Sequence, residues 1–235
     1  MFNKISEAIH LFRTHFKLIA SLVLTVWLPA NLLIEYYDDN FLYQENIFKI
    51  MGAAMWIEAL LGPIYIGAII FLLSEAKQGQ NVKYKEAIVE GLRNWGALFK
   101  ARFFAGLLIV LGLIALIIPG IYLALRFSLI EYVVVLEGAD TRDSRERSTE
   151  LTEGIRWELL GAALISNIGV LILSFVGGFI IGLLQVSFPA LDTFYISAIV
   201  DSATDVLFSI ITIIFFLYYW EVTTNEPREA TPVNS

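Results

Sequence analysis

Cysteine is absent from this 235-residue chain, and histidine occurs only as His10 and His15. The first absence excludes disulfides and thiolate chemistry. Two histidines alone cannot build a structural zinc site. Charge is also scarce: 17% of the residues are charged, against 57% hydrophobic, too few to cover a soluble domain of this apolar content. A net charge of −7 argues against a nucleic-acid partner. No nucleophile–base constellation, phosphate loop or metal-ligand spacing is present in the sequence. No cofactor is therefore expected, and an enzyme is the least favoured class.

What the chain has is long apolar runs, with a mean hydropathy of +0.71. Six of them, about 18–34, 50–73, 98–118, 121–136, 159–184 and 196–220, approach the roughly 20 residues that a helix needs to cross a bilayer. The expected fold is all-α, a polytopic membrane helix bundle of six spans forming one domain over residues 1–220. The N-terminal 17 residues mix charge with apolar side chains and lack the apolar block of a cleavable signal. The polar residues 221–235, with Pro227 and Pro232, are expected to form a disordered tail.

Basic residues set the expected orientation. Lys and Arg cluster in Lys4–Lys17, Lys77–Arg102 and Arg142–Arg156, with Arg228 in the tail; of the 16, Lys49 and Arg126 alone lie elsewhere. The positive-inside rule puts these stretches and both termini in the cytoplasm. An even number of crossings between Arg102 and Arg142 then makes Pro119-Gly120 a hairpin at the outer face, a role for which a fixed φ and a permissive one are suited. Acidic residues near the outer loops (Glu35, Asp38, Asp39, Glu45 and Asp192) agree with this placement.

The stretches before spans one, three and five read as amphipathic interfacial helices. Phe2, Ile5, Ile9, Phe12 and Phe16 recur at helical spacing, as do Ile88, Leu92, Trp95 and Phe99, and more weakly Leu151, Ile155 and Leu159. Either a threefold repeat of interfacial helix plus span pair or convergent composition accounts for this pattern.

Pro119-Gly120-Ile121-Tyr122, Arg126, Val133-Val134-Val135, Glu137, Ser148, Gly154 and Trp157 together resemble a group of six-span bacterial membrane proteins. The group includes YciC-like proteins and the membrane region attached to some glycerophosphodiester phosphodiesterases. Glu7-Ala8, Trp27-Leu28-Pro29 and Tyr218-Tyr219 extend the resemblance over most of the chain, while Trp220-Glu221 departs from its ending. The resemblance implies the six-span fold and a bacterial cytoplasmic membrane, and no phosphodiesterase domain is present.

Charges inside a membrane are costly and therefore mark candidate sites. Arg126 lies six residues beyond Gly120, about 9 Å along a helix, and is expected to pair with Glu58 of span two. The alternatives are that it snorkels or contacts a ligand. Glu131 faces elsewhere on the same helix. Asp201 and Asp205 share one face of span six, with Ser197, Thr204 and Thr212 extending the polar stripe. The pair either binds a cation or carries protons, or is solvated at the outer interface. Gly178 and Gly182 form a small-xxx-small pair suited to close helix packing. The partner expected is the lipid bilayer, with an anionic lipid or small molecule as candidate ligand; nothing identifies a protein partner. Transport or handling of such a ligand is the leading function class, and a structural, assembly or regulatory role without transport is the alternative.

Overall fold

The computed structural model describes residues 2–41, 47–188 and 193–226, without the side chains of 37–41, 47–51 and 53. Glu45, Asp192 and the tail beyond Glu226 fall outside it, as do the side chains of Asp38, Asp39 and Lys49. Every regular element among the described residues is an α-helix, in the order α1 (Phe2–Thr14), α2 (Phe16–Phe41), α3 (Ile47–Lys77), α4 (Tyr84–Ala115), α5 (Ile117–Arg126), α6 (Ile130–Glu137), α7 (Thr141–Leu151), α8 (Arg156–Ser187) and α9 (Phe194–Asn225). Six stretches are long and apolar enough to cross a membrane: α2, α3, α4, α5 with α6, α8 and α9. Helix is the state that satisfies every backbone N–H and C=O within one segment in hydrocarbon. Pro29 in α2 and Pro63 in α3 are tolerated there because neighbouring helices shield the freed carbonyls.

The core lies where α2, α3, α6 and α9 meet. Ile19, Leu22, Val23, Ile69, Leu72, Leu73, Val133, Ile213 and Phe216 are buried together there. A smaller cluster of Leu98, Ala101, Ala105, Ile130 and Val134 joins α4 to α6. Helix α8 turns most of its large apolar side chains outward, Leu164, Ile168, Leu171, Phe175 and Phe179 among them. In a bilayer that face is solvated by acyl chains, so cohesion rests on close packing and hydrogen bonds rather than on removal from water.

Close packing occurs at glycines other than the expected pair. A Cβ added at Gly91 of α4 would collide with the backbone carbonyl of Ile64, and one at Gly67 of α3 would meet the Leu98 side chain at 3.0 Å. These contacts seat α4 against α3. At Gly178 and Gly182 a Cβ meets nothing within 4 Å, so neither makes a close helix contact among the described residues.

Leu116, with φ −165° and ψ 149°, makes the turn between α4 and α5. Pro119 falls in the first turn of α5, where its missing N–H costs nothing. Gly120 faces back toward Gly112, whose added Cβ would lie 3.0 Å from the Gly120 Cα. The hairpin is therefore present, with its turn three residues earlier than expected. The fourth span is in turn two helices. Phe127 and Leu129 leave helical geometry at φ −101° and −104°, and α7 covers the break. Ser148 Oγ accepts from Leu129 N–H at 3.2 Å and donates to the Arg126 carbonyl at 2.9 Å. An unpaired backbone group at such a break would otherwise be costly.

The interfacial helices also depart from expectation. The second is not separate from span three, because α4 runs unbroken for 32 residues. The third lies earlier than its apolar pattern suggested, as α7, started by Asp140, whose carboxylate accepts from Arg142 N–H at 2.7 Å and Asp143 N–H at 2.9 Å. Helix α1 turns Ala8 and Phe12 into the bundle, and two of its charges reach neighbours: Lys4 pairs with Glu221 and lies over the Tyr218 ring, and Glu7 accepts from Lys77 at 2.5 Å. At the same end Arg147 ties Glu137 of α6 to Glu226. The stretch 221–225 belongs to α9 and not to a tail.

Candidate intramembrane polar site

Seating α4 on α3 and α6 places three charges together. Glu58 and Tyr65 lie seven residues apart on α3, two turns along one face, and Tyr65 Oη donates to Glu58 Oε2 at 3.0 Å. Arg102 of α4 donates from Nη2 to Glu58 Oε1 at 2.8 Å. Its Nε lies 3.3 Å from Glu131 Oε1 of α6. Small residues on the α4 face, Ala101 and Ala105, let Ile130 and Val134 approach, and this brings Glu131 within reach. The third guanidinium nitrogen, Nη1, is buried and has no protein partner.

Arg102 thus takes the place expected of Arg126. Arg126 closes α5, ten residues from the Leu116 turn, about 15 Å along a helix, and its Nε donates to Thr149 Oγ1 of α7 at 2.8 Å. A polar helix therefore already solvates it, and Glu58 engages Arg102 instead. Glu131, expected to face away from Arg126, meets the Arg102 guanidinium. A guanidinium effectively cannot shed its proton, so two carboxylates and a tyrosine gather around the one that is set among apolar helices.

A second polar group adjoins the first. Asn31 of α2 donates from Nδ2 to Asp205 Oδ2 at 2.8 Å and to Ser202 Oγ at 3.2 Å, both on α9. Asp201, one turn earlier, hydrogen-bonds Glu35 of α2. The pair Asp201 and Asp205 is thus held by α2, with Asp205 turned toward Glu58. Between them lies a cavity of about 400 Å³ lined by Trp27, Met55, Glu58, Tyr65, Asp205 and Thr212. A second, of about 320 Å³, is lined by Arg102, Phe127, Ser128, Glu131, Tyr132 and Thr212. Thr212 borders both, and Tyr132 Oη donates to its carbonyl at 2.8 Å. The two chambers together hold three carboxyl groups, Glu58, Glu131 and Asp205, and one guanidinium, Arg102. Among the described residues, no group of three or more His, Cys, Asp or Glu side chains is arranged to hold a metal ion.

In sequence Arg102 ends the basic cluster Lys77–Arg102, whose charges signal orientation rather than a site. Its clue was position: the apolar run beginning at Leu98 already enclosed it, between Phe99 and Phe103. Asn31, Tyr65 and Tyr132 carried no comparable signal, since single polar residues in spans are common.

An all-α bundle with six membrane-crossing stretches and a charged cluster among them is a multi-pass membrane protein. The chain belongs to the family described as a domain of unknown function, DUF7847, whose model matches residues 56–223. It is also similar to the UPF0259 membrane protein BUAP5A_271 of Buchnera aphidicola subsp. Acyrthosiphon pisum (strain 5A). That match is 30% identical over 187 residues, covering 77% of this chain and 68% of that protein. No solved structure matches. The family match takes in Glu58, Arg102, Glu131, Asp205 and Thr212, and leaves out Asn31 and the whole of α1.

Proposed function

We propose that this protein binds and passes a lipid or small polar molecule through the two chambers that meet at Thr212. The observation that carries this reading is a cluster of three carboxyl groups and one guanidinium lining cavities of about 400 and 320 Å³. Small-molecule sites begin at roughly 300 Å³, and charges held among apolar helices usually serve a substrate or ion path. The sign of the charge refines the candidate ligand. Three carboxylates against one guanidinium favour a solute that brings positive charge or hydrogen-bond donors, or a proton, over the anion expected from sequence. Arg102 Nη1 is the group here that would meet an acceptor.

The distribution of basic residues supports a cytoplasmic location for both termini. The resemblance to YciC-like proteins and to the phosphodiesterase-associated membrane region supports a bacterial cytoplasmic membrane. The structural alternative draws on Arg102 itself, which clamps α3, α4 and α6.

Native mass spectrometry of the protein in nanodiscs separates the two readings. The chambers predict a co-purifying small molecule or lipid that is lost when Thr212→Trp fills their junction, with thermal stability preserved. A ligand-free wild type, or the same ligand retained by Thr212→Trp, would refute passage through the chambers.

A further inference from the structure

A separate cavity, of about 550 Å³, lies at the joint of α1 and α2. The two helices meet at His15, whose carbonyl accepts from Leu18 and Ile19 N–H at 3.0 Å. Arg13, His15 and Lys17 border the cavity on one side, and Asn81, in the α3–α4 connection, on the other. No acidic residue lines it.

Counter-charge is missing from the lining of this cavity. At the same end of the bundle Lys4 is held by Glu221, Lys77 by Glu7, Arg147 by Glu137 and Glu226, and Arg142 by Glu146. Arg13 and Lys17 have no carboxylate within 4 Å among the described residues. Two fixed positive charges left unneutralised in a chain of net charge −7 create a local positive potential that attracts anions.

The neutral groups complete the donor set. The Asn81 amide makes no side-chain hydrogen bond among the described residues and has two N–H donors to offer. The Thr14 and Ser21 hydroxyls are already spent on the His10 and Lys17 carbonyls, at 2.9 and 2.7 Å. Burial lowers the His15 pKa from its ordinary 6.5, so the ring is neutral at pH 7 and still presents one N–H. A guanidinium, an ammonium and an amide converging from two segments match the several acceptor oxygens of a phosphate.

We infer that the α1–α2 joint is a binding site for a phosphate-bearing anion, independent of the intramembrane chambers. Phe2 and Ile9 of α1, spaced by seven, and Phe16 at the start of α2 are exposed. Such apolar side chains would lie along the acyl chains of a phospholipid whose headgroup enters the cavity. A soluble phosphate compound presents the same oxygens without using these side chains.

The test uses the full chain in nanodiscs. In the first arm the discs are phosphatidylcholine with a minority of phosphatidylglycerol, and native mass spectrometry reads the anionic lipid retained. In the second they are phosphatidylcholine alone, and thermal stability is read against added inorganic phosphate. The double variant Arg13→Gln/Lys17→Gln removes exposed charges that make no ion pair among the described residues, so it should fold. It should lose binding by about tenfold or more, the scale of lost hydrogen bonds from charged groups. Asn81→Leu, which keeps every charge, should weaken binding as well. Lys83→Gln/Lys85→Gln, which removes equal charge just outside the cavity, should leave it intact. Retention of phosphatidylglycerol with this pattern supports the site with a lipid headgroup as ligand. Stabilisation by phosphate alone, with the same pattern, supports it with a soluble ligand. Binding in neither arm, equal loss in the two double variants, or full binding in Asn81→Leu would overturn the inference.

Discussion

Replacing Arg102 by methionine keeps the length of the side chain and removes its charge. Two carboxylates then lose a shared partner: Glu58, whose Oε1 is 2.8 Å from Nη2, and Glu131, whose Oε1 is 3.3 Å from Nε. An exposed ion pair is worth about 0–1 kcal/mol, and stripping one partner from a buried pair costs about 3–5 kcal/mol. The three side chains are 26%, 32% and 25% exposed, so the loss should fall between these limits, at about 2–4 kcal/mol. Glu58→Gln or Glu131→Gln alone leaves Arg102 one carboxylate and should cost less. The triple variant Arg102→Met/Glu58→Gln/Glu131→Gln strands no charge and should recover most of the stability. Thermal unfolding of the four variants in one nanodisc composition gives the ranking. Arg126→Leu belongs in the same series, because it gives up only the bond to Thr149 and should lose less than Arg102→Met. Strictly additive losses, or an Arg126→Leu more damaging than Arg102→Met, would refute the reasoning.

Three further outcomes follow from the packing and the caps. Gly91→Ala drives a methyl into the Ile64 carbonyl and should cost about 1–3 kcal/mol, while Gly178→Ala and Gly182→Ala should stay within about 0.5 kcal/mol; thermal melts compare them directly. Ser148→Ala removes the partner of Leu129 N–H and should cost about 1–3 kcal/mol, read as faster hydrogen exchange at Leu129. The backbone N–H groups of Asp143 and Arg142 hold the Asp140 carboxyl below its ordinary 3.8. The unfolded carboxyl therefore binds its proton first as pH falls, so the cap's contribution is complete above 3.8 and lost as pH drops through the lower folded value. The amide shift of Arg142 should show a transition below 3.8 in the wild type and lose it in Asp140→Ala.

The spans were readable because hydrocarbon leaves a chain little choice: apolar runs of sufficient length must be helical to satisfy their backbone. Their limits were less readable. A helix does not stop where its hydrophobicity begins, so α4 runs back through Lys85, Glu86 and Arg93, whose charges lie off the face that meets α3. Pro119-Gly120 announced a hairpin, yet the turn fell at Leu116, because proline is compatible with the first turn of the following helix. Partners were the least readable. Glu58 and Arg102 are 44 residues apart, and only the seating of Gly91 on Ile64 decides that they meet. Gly178 and Gly182 carry the packing motif and meet no neighbour among the described residues, whereas Gly91 carries no motif and meets the Ile64 carbonyl. Asp205 was marked by its place in an apolar run, but Asn31, which holds it, was not.

Solvent access to Thr212 tests the central claim most directly. The chain contains no cysteine, so single cysteines can be placed at Thr212, at Ser128 in the smaller chamber and at Leu173 on the outward face of α8. Each variant is reconstituted in liposomes and treated with a small, charged, thiol-directed reagent, which reacts with a hydrated thiolate and not with one buried in acyl chains. The chamber account predicts modification at Thr212 and Ser128 and protection at Leu173. Thr212 and Ser128 cysteines as unreactive as that at Leu173 would contradict it and leave the charged cluster as a clamp between helices.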